Sequence, residues 1–234
     1  MNAPQTLLRG LETLGIQADA ADAGKLETYM AELEKWNPLF GLVSAGGSSS
    51  PGAMRERLIV RHVLDSLAGL PFIREILNGM REDCLADVGS GAGLPGIPLA
   101  VFLPQTRVTL IEPSRKRCAF LRSAAALMNL KNLRVFEGEL AAARETFSLV
   151  TCRAFRPLDR KTLKALLAVT RPGGVIAAYK ATEEKTLAET AEARALGLQA
   201  RAQPLMVPGL NEERRLLVIS RAGESAGQQD EEKE

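Results

Sequence analysis

The sequence predicts an α/β protein, a doubly wound and mostly parallel sheet behind an N-terminal helical extension. Up to about residue 80, apolar residues recur at helical spacing, and from Cys84 onward short β-rich runs alternate with helical stretches. A glycine-rich run, Gly89-Ser-Gly-Ala-Gly93, falls where the first of those runs ends. Alternating strands and helices specify a parallel sheet covered on both faces. The expected boundaries are residues 1–80 for the extension packed on the core, 81–222 for the α/β domain and 223–234 for an acidic tail.

Taken in order, the first helix is expected over about Gln5 to Leu14. The second, about Gly24 to Trp36, carries Leu26, Tyr29, Met30, Leu33 and Trp36 on one stripe, and Pro38 should end it. The run Ser44-Ala-Gly-Gly-Ser-Ser-Ser-Pro-Gly52 reads as a flexible loop. A third helix, about Glu56 to Leu67, places Leu58, Ile59, Val63, Leu64 and Leu67 on one face, and a short helix follows Pro71. This preface is too small for a core of its own. Strands are expected at Cys84 to Val88, Arg107 to Ile111, Leu133 to Phe136, Leu149 to Cys152 and Val175 to Tyr179. Helices fall between and after them, at about Leu94 to Phe102, Ser114 to Met128, Leu158 to Val169 and Glu183 to Leu196. Two last strands, Ala200 to Val207 and Arg214 to Ser220, flank Pro208-Gly-Leu-Asn211. The tail has no apolar residues to bury and reads as disordered.

Composition excludes several classes. Apolar residues are 46% and charged residues 25% of the 234, and no apolar stretch reaches the ~18 residues of a membrane span. The start lacks a basic segment followed by an apolar run, so no secretory signal is expected. The odd set of Cys84, Cys118 and Cys152 points to a reducing cytoplasm. Their equal spacing is not a repeat, because their neighbours share no pattern. With His62 the single histidine and no Cys-x-x-Cys pair, no metal is expected, and His62 itself is read as structural. The last eleven residues hold five acids and one lysine, leaving residues 1–223 with 29 basic and 23 acidic side chains. That moderately basic body allows a polyanionic partner without establishing one.

The strongest local signal is Asp87-Val-Gly-Ser-Gly-Ala-Gly-Leu-Pro-Gly96. Glycine lets the chain turn tightly and lets a ligand approach the backbone N–H groups of a helix start. Asp87, Gly89, Ser90, Gly91, Gly93 and Leu94 are therefore the expected cofactor-binding residues, with Pro95 suited to the first helical turn. Gly91-x-Gly93-x-x-Gly96 also satisfies the dinucleotide fingerprint, and Glu112, placed to accept ribose hydroxyls, suits either cofactor. Asp87 two positions before the first glycine, and a sheet delayed behind helices, favour S-adenosylmethionine. A nicotinamide dehydrogenase is the alternative.

The run Gly89-Ser-Gly-Ala-Gly-Leu-Pro-Gly-Ile-Pro98, with Arg61-His-Val-Leu-Asp-Ser66 and Lys35-Trp36-Asn37, resembles glucose-inhibited division protein B, the family of ribosomal RNA small subunit methyltransferase G. Arg115-Lys-Arg117, Cys152-Arg-Ala-Phe155, Tyr179-Lys180 and Glu213-Arg214 extend the resemblance over about residues 25 to 220. It implies a class I methyltransferase fold, S-adenosylmethionine as donor with S-adenosylhomocysteine as product, and N7 of a guanine in 16S ribosomal RNA as acceptor. The sequence departs from the family at Gly41 and Val43, at Ala141-Ala142 in place of an acidic pair, and at Ala181. Adenine recognition then falls to Glu139 and Leu140.

Guanine N7 carries a lone pair and no proton, so its methylation needs positioning and no general base. Basic residues at the carboxyl ends of the strands are the candidates, because ligands of doubly wound sheets bind there. Arg153 is expected at the donor and in catalysis, with Lys116 and Lys180 beside it. Arg115, Lys116, Arg117, Arg156 and Arg214 are expected to bind RNA. Phe155 is read as core, with base stacking the alternative. The partners expected are 16S ribosomal RNA, in the small ribosomal subunit or an assembly intermediate, for a monomer with no membrane contact. A non-catalytic RNA-binding protein is a further alternative.

Overall fold

The strands of the molecule are β1 (Cys84–Val88), β2 (Arg107–Glu112), β3 (Leu133–Glu137), β4 (Phe147–Arg153), β5 (Thr170–Lys180), β6 (Leu198–Leu205) and β7 (Arg214–Arg221). This computed structural model describes residues 3–44, 51–80 and 84–223. Among the described residues the strands form one sheet in the order β3-β2-β1-β4-β5-β7-β6. All pairs are parallel except those of β7, which runs antiparallel to β5 and to β6. The strand order reverses between β1 and β4, so ligands are expected at the carboxyl ends of those two strands. The expected α/β class is the observed one.

Alternate residues of the central strands supply two cores. Leu85, Leu149, Ala177 and Val218 face α6 (Gly96–Phe102), α7 (Arg115–Leu127) and the extension. Ala86, Val150, Ile176 and Leu217 face α8 (Arg160–Ala168) and α9 (Glu183–Ala195). The helices of the extension are α1 (Ala3–Thr13), α2 (Ala20–Phe40), α3 (Pro51–Leu58), α4 (Asp65–Leu67) and α5 (Leu70–Asn78). Leu7, Leu26, Tyr29, Met30 and Leu64 of the extension share one apolar cluster with the sheet.

Several boundaries differ from expectation. Helix α2 starts at Ala20, where the Asp19 carboxylate accepts the Asp22 N–H at 2.8 Å, and runs through Pro38. So near the end, the proline deletes one intrahelical hydrogen bond, and the helix stops at Gly41 (φ 56°), whose N–H donates to the Asn37 carbonyl at 2.9 Å. The third helix begins at Pro51, five residues before Glu56, so Pro51 and Gly52 leave the expected loop while residues 45–50 lie outside the described residues. Helix α6 begins at Gly96 with Pro95 as its cap, and β5 begins at Thr170. The pairs Phe147↔Thr170 and Leu149↔Val175 show why the strand start was hidden: Pro172-Gly173-Gly174 sits in a bulge. Residues 224–234, read as a disordered tail, lie outside the described residues.

Between α3 and α4 the chain makes a π-helical segment, Ile59–Leu64. The sequence explains it. Buried apolar pairs occur at Leu58-Ile59, Val63-Leu64 and Leu67-Ala68, a step of five and then of four. In an α-helix a five-residue step lands about 140° round the axis. The wider π turn, closed by the Asp65 N–H to the Val60 carbonyl, keeps the first two pairs on one face.

Candidate active site

The glycine loop leaves β1 with three left-handed glycines, Gly89, Gly91 and Gly93, at φ 70°, 57° and 85°. At Gly91 the space a side chain would take is open, with the Gly89 carbonyl the nearest atom at 3.8 Å. Its N–H donates to Glu112 Oε2 at 2.8 Å, and the Ser114 N–H donates to Glu112 Oε1 at 2.9 Å. One carboxylate at the end of β2 thereby ties the loop to the start of α7. Below the loop Asp87 is fully buried, with Oδ2 accepting the Gly96 N–H at 3.0 Å and Oδ1 without a hydrogen-bond partner among the described residues. Burial pushes the Asp87 carboxyl up to about 7. Ser90 Oγ donates to the Asp87 carbonyl at 2.7 Å. From the extension, the Tyr29 hydroxyl donates to the Ala92 carbonyl at 2.7 Å.

A cavity of about 530 Å³ opens beside this loop. Gly89, Glu112, Arg117, Glu139, Leu140 and Arg156 line it, as does Ala141, so the departure from an acidic pair leaves Glu139 as the carboxylate at that end. Asp87, Ser90, Gly91, Gly93 and Leu94 stand in or behind the loop and do not line the cavity; Asp87 and Ser90 hold the loop by hydrogen bonds. Arg115 and Lys116 are exposed at the start of α7, outside both cavities described here. Gly41 and Val43 have structural uses, Gly41 as the cap of α2 and Val43 donating its N–H to Asn37 Oδ1 at 2.8 Å.

A second cavity, about 430 Å³, lies between the π segment and the ends of β4, β5 and β7. Arg153, Lys180 and Arg214 line it. Arg153, expected at the donor, points away from the first cavity because its guanidinium is held from the π segment. Its Nη1 donates to Asp65 Oδ2 at 2.8 Å, and its Nη2 lies 3.4 Å from His62 Nδ1. Arg214 Nε donates to the other Asp65 oxygen at 3.0 Å. Lys180 Nζ pairs with Glu189 Oε2 at 2.5 Å, while Glu189 Oε1 accepts the Leu158 N–H at 3.1 Å. Arg61 pairs with Glu212 at the rim. Burial, then the Arg153, Arg61 and Arg57 charges, pushes His62 down to about 4, so it is neutral near pH 7.

The two cavities share Ala154 and Phe155 in their walls. Ala154 has φ 49°, and the turn it makes sends the Phe155 ring over Gly89, where an added Cβ would meet it at 2.6 Å. Phe155 is half-buried, and the Arg156 guanidinium lies 5.8 Å from its ring centre. Sequence reasoning assigned no role to Arg61, Asp65 or Glu189. The available signals were the Arg61-His-Val-Leu-Asp-Ser66 motif and the five-residue apolar step across it.

A family model described as rRNA small subunit methyltransferase G matches residues 22–218. The chain belongs to this family. Curated relatives named ribosomal RNA small subunit methyltransferase G include that of Treponema denticola, 35% identical over 92% of this chain and 93% of its own. That of Stenotrophomonas maltophilia is 37% identical over 92% and 93%, and that of Xanthomonas axonopodis 38% over 91% and 92%. Among solved structures, an Aquifex aeolicus S-adenosylmethionine-dependent methyltransferase overlays with a TM-score of 0.51 at 15% identity, over 66% of this chain and 92% of that one. A Lactobacillus delbrueckii ribosomal protein L11 methylase overlays at 0.52 and 17%, over 68% and 76%. These two show the fold. The family member is an S-adenosylmethionine-dependent ribosomal RNA methyltransferase, and the nicotinamide reading of the glycine loop falls. The residues fit that donor: Gly91 leaves open space over its backbone, and the Glu112 oxygens, each bonded to one N–H, keep a lone pair each for ribose hydroxyls.

Proposed function

We propose that the chain methylates N7 of a guanine in 16S ribosomal RNA, acting in the cytoplasm as a monomer on the small ribosomal subunit or an assembly intermediate. The observation that carries the choice of atom is that the proton acceptors lining the second cavity are engaged. Asp65 takes Arg153 and Arg214, Glu189 takes Lys180 and the Leu158 N–H, and the neutral His62 turns Nδ1 to a guanidinium. An exocyclic amine or a ribose hydroxyl must lose a proton when methylated, and no free base awaits it among the described residues here. Guanine N7 presents a lone pair and loses none.

When bound, S-adenosylmethionine supplies an electrophilic methyl group on a sulfonium. The chain's own part is positioning. Glu112 accepts the ribose hydroxyls, Gly89 and Gly91 allow close approach to the loop, and Glu139 and Leu140 meet the adenine. Arg153 directs its N–H groups to guanine O6 or a neighbouring phosphate, Phe155 offers a face for stacking, and Lys180 is steadied by Glu189. Orientation of this kind lowers barriers by about 7–11 kcal/mol in favourable cases. Arg115, Lys116, Arg117, Arg156 and Arg214 hold phosphates, and because a double helix hides N7 in a deep, narrow groove, the target guanine is extruded or lies in a loop.

The test is nucleoside analysis of 16S ribosomal RNA from cells with and without the gene, followed by methylation of the unmodified RNA by the purified chain. 7-Methylguanosine lost with the gene and restored in vitro is the expected result. A methylated exocyclic amine or ribose in its place would overturn the reading. Arg153→Ala should lower single-turnover methylation more than it lowers either affinity; a wild-type rate with saturating substrates would remove Arg153 from the mechanism.

A further inference from the structure

We infer that Asp65 is a positioning residue for methyl transfer, its carboxylate setting the directions of Arg153 and Arg214 at the acceptor cavity from the helical extension. The inference rests on the second cavity being the acceptor site. Asp65 is 5% exposed and follows the π segment directly. Each of its oxygens holds one guanidinium, Arg153 Nη1 at 2.8 Å and Arg214 Nε at 3.0 Å, from strand ends 88 and 149 residues away. Arg153 Nη1 also lies 3.4 Å from the Arg61 carbonyl and Nη2 3.4 Å from His62 Nδ1. The chain from Arg61 to Asp65 therefore contacts this side chain through a carbonyl, an imidazole and a carboxylate. Such contacts restrict a long side chain that would otherwise sample many rotamers.

The arrangement also answers a problem in the chemistry. N7-methylation leaves a positive charge on the guanine, and a bare guanidinium beside it would oppose the reaction. Asp65 places a negative charge between Arg153 and Arg214, so the pair can donate hydrogen bonds to the acceptor with part of their charge cancelled. The five-residue apolar step fixes where this carboxylate lies: the π turn keeps Leu58-Ile59 and Val63-Leu64 buried together and leaves Arg61, His62 and Asp65 to the cavity.

The experiment measures single-turnover transfer of labelled methyl groups to unmodified 16S ribosomal RNA by the full chain, with S-adenosylhomocysteine affinity by calorimetry and RNA affinity by filter binding. Asp65→Asn should slow transfer about 100-fold, the scale of a small misplacement of a catalytic group, with S-adenosylhomocysteine affinity kept. RNA affinity should hold or rise, since two cations lose their counter-charge. In the Arg153→Gln/Arg214→Gln background, adding Asp65→Asn should cost much less than it does alone, because both groups it acts through are already gone. A full additional loss, or equal weakening of RNA and S-adenosylhomocysteine binding, would show a purely structural role and overturn the inference. If Asp65→Asn fails to fold, Asp65→Glu decides. It keeps the charge and moves the oxygens by a methylene, so it should fold and be slow, and a wild-type rate would overturn the inference. Labelled methyl counts are independent of the atom modified, so failure at N7 would overturn the proposed function and leave this result readable.

Discussion

Glu112 holds the glycine loop with the same two oxygens that the proposed function assigns to the donor ribose. Glu112→Ala orphans the Gly91 and Ser114 N–H groups and removes the acceptor for the ribose. Hydrogen bonds to a charged group contribute about 1.5–3 kcal/mol each, so S-adenosylmethionine and S-adenosylhomocysteine affinities should fall together by about tenfold or more in calorimetry. Loss of one alone would mean that the carboxylate reads something other than ribose. His62 and Asp87 give a pH signature of opposite signs. From 6.5 down to about 4, His62 takes a proton in the unfolded chain and not in the folded one, so its contribution destabilises the fold as pH falls through that window. Between 3.8 and about 7, Asp87 is protonated in the folded chain and ionised in the unfolded one, so its contribution favours the fold as pH falls. His62→Gln should therefore gain stability relative to wild type as pH drops from 7 to about 5, read by urea titration at each pH. A difference that does not change with pH would show that His62 is not held neutral. The place of Glu112 was legible from its spacing after the glycines. The role of Asp65 was not, because its partners come from the far end of the chain and only folding brings them together.

At the level of elements, the central strands were legible because buried strands read as continuous apolar runs. The start of β5 was hidden by a bulge, and the length of α2 by a proline placed where it costs one hydrogen bond. The π turn left a trace in the apolar spacing, but a five-residue step also lets neighbouring residues of a helix look like one broad face. Contact between extension and sheet is close at Gly69, where an added Cβ would stand 2.4 Å from the Tyr179 hydroxyl oxygen and 2.8 Å from its Cζ. That ring is buried, and its hydroxyl donates to the Ser66 carbonyl at 2.7 Å. Gly69→Ala should thus destabilise by about 1–3 kcal/mol in denaturant titration, the usual range for overpacking. An unchanged midpoint would mean that the Tyr179 ring yields freely.

Across the whole molecule, the extension and one face of the sheet bury their apolar residues in a common cluster. A chain beginning at residue 81 would leave that sheet face uncovered and should show no cooperative unfolding transition by circular dichroism; a sharp transition would make the α/β domain self-sufficient. RNA binding should be salt-dependent, and Lys116→Ala should reduce the log–log salt slope by about 0.7 if Lys116 contacts one phosphate of single-stranded RNA. Its donor affinity should match wild type, since Lys116 stands outside the cavity beside the glycine loop. The wall made by Ala154 and Phe155 bears on kinetics in steady state. Under the proposed assignment of donor and acceptor to the two chambers that meet there, both must be present before transfer, and reciprocal plots at several fixed donor concentrations should intersect. S-Adenosylhomocysteine should then compete with the donor for its chamber and leave the RNA free to bind, so that each product departs without waiting for the other.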